Sequence, residues 1–342
     1  MTDWTRRVAL SLCLGTAALA AAPAGAQTIT MWHIFGQASE PGLGNIKRWN
    51  DTHPGEQIDH KFIPFGQLSQ QLVKGIATGD VPDLITIDNP NTASFANQGA
   101  LEDVTDLVAK SNVIKADNFY KGSWNITQWK GRQWAVPGEA NTIALYYNAD
   151  MYRAKGLDPD KPPKTWSELQ TAAEKLTDKS KNVYGLAFSA IQTEEGTSQW
   201  LAWLQQSGGS LANLTSPDSV AALQIWTDFV AKEQVSKDAL IKRQFEMTNS
   251  WVAGGAAMVI SGPWELQRAK DIKFDWRVAM LPLRPNDRLL SVPLSRSMIF
   301  CRCRNATSSL STVAVLLGRK RSTRRRSNLP ISLLQKPTIV SR

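Results

Sequence analysis

The chain has 342 residues, 42% of them hydrophobic, which is enough for two domains of ordinary size, each with its own core. Its net charge of +9 would point to a polyanionic partner if it were spread evenly, but residues 288–342 hold 12 Lys or Arg and no Asp or Glu. Without them the totals of 39 basic and 30 acidic residues become a net of −3 over residues 1–287, so the body of the chain is mildly acidic. Three cysteines, Cys13, Cys301 and Cys303, are too few for a disulfide framework or a structural zinc site.

The chain opens with the three parts of a secretory signal. Arg6 and Arg7 are followed by a mostly apolar run from Val8 to Ala22, and Ala24-Gly25-Ala26 offers a small-x-small cleavage site before Gln27. The run is short for a permanent transmembrane helix, which needs about 17 to 25 apolar residues. The expectation is an exported protein whose mature part starts near residue 27.

Ile29 to Phe35 reads as a first buried strand, and Ala38 to Asn50 opens a helix with Ile46 and Trp49 inward. Ile58 to Phe65 partly alternates, as a half-buried strand does. Gln67 to Ala77 has helical spacing, with Leu68, Leu72, Val73 and Ile76 on a shared side, and Gly79-Asp80 stops it. Pro82 to Asp88 is another apolar strand. Strand, helix and strand in this order predict an α/β layer with a mainly parallel sheet, so the polar loop Asn89 to Thr92 lies where such sheets form a ligand crevice. Lys130 to Pro137 and Thr142 to Tyr147 read as strands divided by the turn Gly138 to Asn141, which suits a crossing between two lobes.

Thr165 with Glu168 three residues on predicts a capping box at a helix start. Val183 to Phe188 reads as a strand and Gln199 to Gln205 as a helix. Pro217 to Ala231 reads as a second helix, with Val220, Leu223, Trp226 and Val230 inward. Phe245 to Val252 is helical, and Ala256 to Ser261 is a strand ending at Gly262-Pro263.

Four stretches resemble the bacterial extracellular solute-binding proteins of the sugar-binding class. They are Met31-Trp32-His33 in the opening strand; Thr78 to Asp83 with Gly99-Ala100-Leu101; Trp134 to Pro137 with Leu145 to Asn148, Gly156-Leu157 and Pro163 to Trp166; and Gly254 to Met258 running to Gly262-Pro263-Trp264. Together they cover about residues 27 to 285. Trp32-His33 and the run from Gly156 to Trp166 are most similar to the glycerol-3-phosphate-binding branch. The resemblance implies an α/β, periplasmic-binding-protein-like fold, with two α/β lobes joined by hinge strands and an interlobe ligand cleft. Residues 1–26 are then the signal, 27–137 the first lobe, 138–270 the second, 271–287 a return toward the first, and 288–342 a basic tail, non-native or disordered.

The implied function is the periplasmic binding component of an ABC importer for a sugar, polyol or glycerol phosphate. It works as a monomer handing its ligand to an inner-membrane permease, with no cofactor, metal, catalysis or specific nucleic acid. Aromatic rings stack on the apolar faces of such ligands and planar polar groups meet their hydroxyls. Trp32 and His33 at the end of the first strand are candidates for one wall, and Asn89 lies on a sheet-end loop. Glu40 falls near an acidic residue of the glycerol-3-phosphate branch. Glu139 and Asn141 occupy the crossover, where Ala140 lacks the hydroxyl that the resemblance implies. Gly262 and Trp264 lie at a strand end, with Trp264 the leading stacking candidate.

Two other readings compete. A secreted glycoside-acting enzyme would need two carboxylates about 5 to 9.5 Å apart, for which Glu139 with Glu40 or Asp88 is the available pair. There is no H-E-x-x-H, G-x-S-x-G or Walker pattern. The basic tail, with Arg319-Lys320-Arg321 and Arg324-Arg325-Arg326, would bind polyanions non-specifically. The family likeness fades after Pro282 as the composition changes, which is the pattern a shifted reading frame leaves, so an impaired receptor is expected.

Overall fold

The structure, a computed structural model, describes residues 27–34, 41–88, 90–138, 142–266, 268–284 and 312–315. The first group of elements is β1 (Gln27–His33), α1 (Pro41–Thr52), β2 (Glu56–Phe62), α2 (Phe65–Thr78), β3 (Leu84–Ile87), α3 (Asn91–Asn97), α4 (Thr105–Lys110), α5 (Lys121–Asn125), the small ribbon β4 (Gln128–Trp129) and β5 (Arg132–Gln133), and β6 (Ala135–Pro137). The second is β7 (Ala144–Asn148), α6 (Ala149–Ala154), α7 (Trp166–Leu176), β8 (Tyr184–Ala187), α8 (Glu194–Gln206), α9 (Pro217–Ala231), α10 (Gln244–Val252), β9 (Ala256–Ser261) and β10 (Trp276–Ala279). A last strand, β11 (Thr312–Val315), follows.

Two sheets result. The first has the order β2-β1-β3-β11-β6, and the second β10-β7-β9-β8. In the first, β1 runs parallel to both β2 and β3, with Met31 beside Leu84 and Trp32 beside Ile85. Neighbours in register share a face. Met31 and Leu84 accordingly pack with Ile46 and Trp49 of α1, whereas Trp32 and Ile85 pack with Leu68 and Leu72 of α2. Burial on both faces explains why the inner strand β3 reads as a continuous apolar run, whereas the outer strand β2 is buried only at Ile58.

The second sheet carries the larger core. Leu145, Leu186, Met258 and Ile260 lie beneath Trp203, Phe229 and Trp251, all fully buried or nearly so. The predicted capping box is present: Thr165 Oγ1 accepts from the Glu168 amide at 3.2 Å, and Glu168 returns a bond to the Thr165 amide at 3.2 Å.

Three expectations change. On α9 the inward residues are Ser219, Ala222, Ile225, Trp226 and Phe229, while Val220 and Leu223 are half exposed. The helix is apolar nearly all round, and its orientation follows Trp226 and Phe229, which both pack on Phe188. On α2, Val73 and Ile76 are exposed and Gly75 takes the inward place, since a side chain there would meet the Asp80 carbonyl and the Trp32 ring. In the basic tail, where only Thr312–Val315 is described, the backbone lies between β3 and β6 and is antiparallel to both. Thr-Val-Ala-Val has the β-branched character of a strand, a local signal overshadowed by the arginine clusters around it.

Candidate ligand crevice

Because β1, β2 and β3 are parallel, their C-terminal ends open onto one edge of the first sheet, bearing His33, the turn Ile63 to Gly66, and Asp88. β8 and β9 are also parallel, and their ends carry Ser189 and the Gly262-Pro263-Trp264 turn. The two edges face each other: Arg243, just before α10, donates from Nη2 to the Gly66 carbonyl in the first turn of α2 at 3.2 Å. This apposition of strand ends is where open α/β sheets bind ligands.

On the second lobe the rim is held by buried polar groups. The Gln199 amide spans the ends of β8 and β9, accepting from the Ser189 amide at 2.8 Å and donating to the Ile260 carbonyl at 3.0 Å. Ser189 Oγ donates to the Lys242 carbonyl at 2.8 Å, fixing the residue before Arg243. Glu195, 9% exposed in its side chain, accepts from Arg243 Nη1 at 2.7 Å and from the Gln244 amide at 3.1 Å. Beneath Trp264, the buried Glu265 carboxylate accepts from Ser261 Oγ at 3.0 Å and from Arg268 Nη1 at 3.1 Å. Burial pushes the Glu265 carboxyl above its ordinary range, and the Arg268 guanidinium opposes that shift.

Of the residues singled out from sequence, Gly262 and Trp264 come together on this rim. Gly262 accepts a 2.8 Å bond from the Tyr146 hydroxyl, and the Trp264 ring lies against its α-carbon. Trp32 is 7% exposed, packed among Leu68, Leu72 and Ile85, with the Lys61 ammonium 5.7 Å from its ring, so its surroundings are those of a core residue. His33 is 1% exposed and shares a 2.9 Å bond with His60. Burial first, and the neighbouring His60 second, lower its pKa to about 4. Glu40, Asn89, Glu139 and Asn141 lie outside the described residues.

The sequence reading missed Gly66, Glu195 and Arg243. A glycine at a helix start was the only local signal. The ion pair joins residues 48 apart and the cross-lobe bond residues 177 apart, so neither leaves a motif. A polar recess lined by Ser167, Gln170, Thr171, Glu174, Lys232 and Gln234 is built from other elements and takes no part in the crevice. Among the described residues no cluster of three or more metal-ligating side chains occurs, and no helix is long and apolar enough to cross a membrane.

The family model described as bacterial extracellular solute-binding protein matches residues 40–294. The chain is 27% identical over 296 residues to the sn-glycerol-3-phosphate-binding periplasmic protein of Escherichia coli strain 536, a match covering 81% of this chain and 66% of that protein. It therefore spans just under two thirds of the length of that curated relative. Among solved structures it is similar to an ABC transporter solute-binding protein from Thermotoga lettingae bound with α-D-tagatose, with a TM-score of 0.69 and 27% identity, covering 86% of this chain and 74% of that one. A solute-binding protein from Agrobacterium vitis with bound D-mannitol shares the fold at a TM-score of 0.64 and 20% identity, covering 86% of this chain and 70% of that one.

Proposed function

Since this chain belongs to the bacterial extracellular solute-binding proteins, we propose that it is the periplasmic receptor of an ABC importer, capturing a sugar, polyol or glycerol phosphate between its lobes and presenting it to an inner-membrane permease. The observation that carries this reading is the pair of apposed strand-end edges, bridged by Arg243 and Gly66 and rimmed by Trp264. Such an arrangement captures by enclosure: closing the lobes removes water from around the ligand, and the aromatic face and fixed polar groups replace it.

Trp264 supplies the stacking face in this proposal, and Gly262 keeps the space beside it. Asn89, Glu139, Asn141 and Glu40 are proposed to meet ligand hydroxyls, with His33 behind the first-lobe wall. The chain acts as a monomeric receptor and not as a catalyst. Its ligand class is drawn from the ligands of the proteins it resembles, glycerol 3-phosphate, tagatose and mannitol.

Thermal unfolding of the full chain with glycerol 3-phosphate, tagatose, mannitol and maltose tests the proposal. A ligand at a hundred times its Kd stabilises the native state by about 2.7 kcal/mol, which raises the midpoint by several degrees. A cooperative transition that none of the four moves at millimolar concentration would count against this ligand class.

A further inference from the structure

We infer that Arg243 and Gly66 form a latch that favours the closed arrangement of the two lobes through a contact of their own. The guanidinium is anchored on its own lobe by Glu195, whose two carboxylate oxygens are both engaged, one by Arg243 Nη1 at 2.7 Å and the other by the Gln244 amide at 3.1 Å. Thus aimed, the other terminal nitrogen reaches the Gly66 carbonyl on the opposite lobe at 3.2 Å. The fit depends on the missing side chain at Gly66, because a methyl group there would overlap both Nη1 and Cζ of Arg243.

The backbone at Gly66 is not left-handed, so close approach is what the position demands of glycine. Local helix preference runs the other way. Alanine in the first turn of α2 favours the helix by up to about 1 kcal/mol over glycine, and the latch forgoes that gain. A charged donor to a carbonyl is among the stronger single bonds, and its fork geometry is held by a buried carboxylate, so the contact biases a two-state opening without touching ligand. The latch rests on the receptor reading for its part in closure, yet it is made by the chain's own residues and is measured without ligand.

The test uses the full chain with Cys13, Cys301 and Cys303 replaced by serine and nitroxide labels at Lys74→Cys on α2 and Lys232→Cys after α9. Electron–electron distance distributions are recorded without ligand. Gly66→Ala and Arg243→Met are each expected to lower the closed-to-open ratio about three- to tenfold, and Glu195→Gln to lower it less. The pair Gly66→Ala with Arg243→Met should shift it no further than either alone, since both break one contact. Circular dichroism confirms that each variant is folded, and because the two substitutions lie on different lobes, either one carries the test if the other fails to fold. Distributions that coincide with the parent, or shifts that simply add, would overturn the latch. Neither result depends on finding the ligand, so failure of the latch and failure of the receptor reading remain distinguishable.

Discussion

The indole of Trp264 lies against the α-carbon of Gly262 so closely that a methyl group on Gly262 would overlap its six-membered ring. The Tyr146 hydroxyl fixes the Gly262 carbonyl from the other side at 2.8 Å, and Glu265 anchors the following turn through Ser261 and Arg268. Gly262→Ala is therefore expected to swing the ring aside, and Trp264→Ala to remove it. Both should weaken ligand binding about tenfold, near 1.4 kcal/mol, in calorimetric titration with whichever compound stabilises the chain. Full affinity in Gly262→Ala would place the ring outside the ligand's path.

His33 makes stability depend on pH. Its folded pKa of about 4 lies below the ordinary 6.5, chiefly through burial. Between those values the unfolded chain holds a proton that the native one does not, so stability falls as pH drops from about 6.5 toward 4 and is unpenalised above 6.5. By pH 5 the cost is about 2 kcal/mol. His33→Gln removes the titrating ring, so in urea denaturation at pH 7 and pH 5 the variant should lose less stability than the parent. An identical loss in both proteins would show that His33 does not titrate in this window.

Thr165→Ala tests the local structure that was plainest in the sequence. Thr165 and Glu168 bond to each other's backbone as their spacing predicts, and α7 begins where that box places it. Loss of the cap should cost about 1 kcal/mol, or roughly 2 to 4 °C in midpoint. Such features are legible because the interacting groups are neighbours in sequence; Gly79, which ends α2 at a φ of 76°, is another. The parallel order of β1, β2 and β3 was legible for a related reason, since apolar strands separated by helices have few other ways to pack. The inward faces of α2 and α9 were not, because Val73, Ile76, Val220 and Leu223 are apolar yet exposed and only the partner surface decides the rotation. Within the crevice, Trp264 stood out through its Gly-Pro turn, whereas Arg243 acquires its role from Glu195 and Gly66, which only the fold brings to it.

The strand from the basic tail supports a sharper prediction about the first lobe. β11 pairs with β3 from Thr312 beside Ile87 to Val315 beside Leu84, and with β6 from Thr312 beside Pro137 to Ala314 beside Ala135. Without it, β3 and β6 would each present an unpaired edge inside the sheet, and buried backbone groups left without partners cost about 1 to 3 kcal/mol each. Ending the chain after Arg284 should therefore abolish cooperative melting of the first lobe and promote aggregation through its open edges. Val313→Pro, facing Thr86 on one side and Val136 on the other, removes a ladder donor from the middle of the sheet and should destabilise by about 1 to 3 kcal/mol. Ending the chain after Gly318 instead keeps β11 while removing Arg319 to Arg326, and should melt as the full chain does. Calorimetry with size-exclusion chromatography separates the outcomes: if the chain ending at Arg284 melts like the parent, the first sheet does not need this strand; if only that chain and the proline variant fail, four residues of the tail complete the lobe.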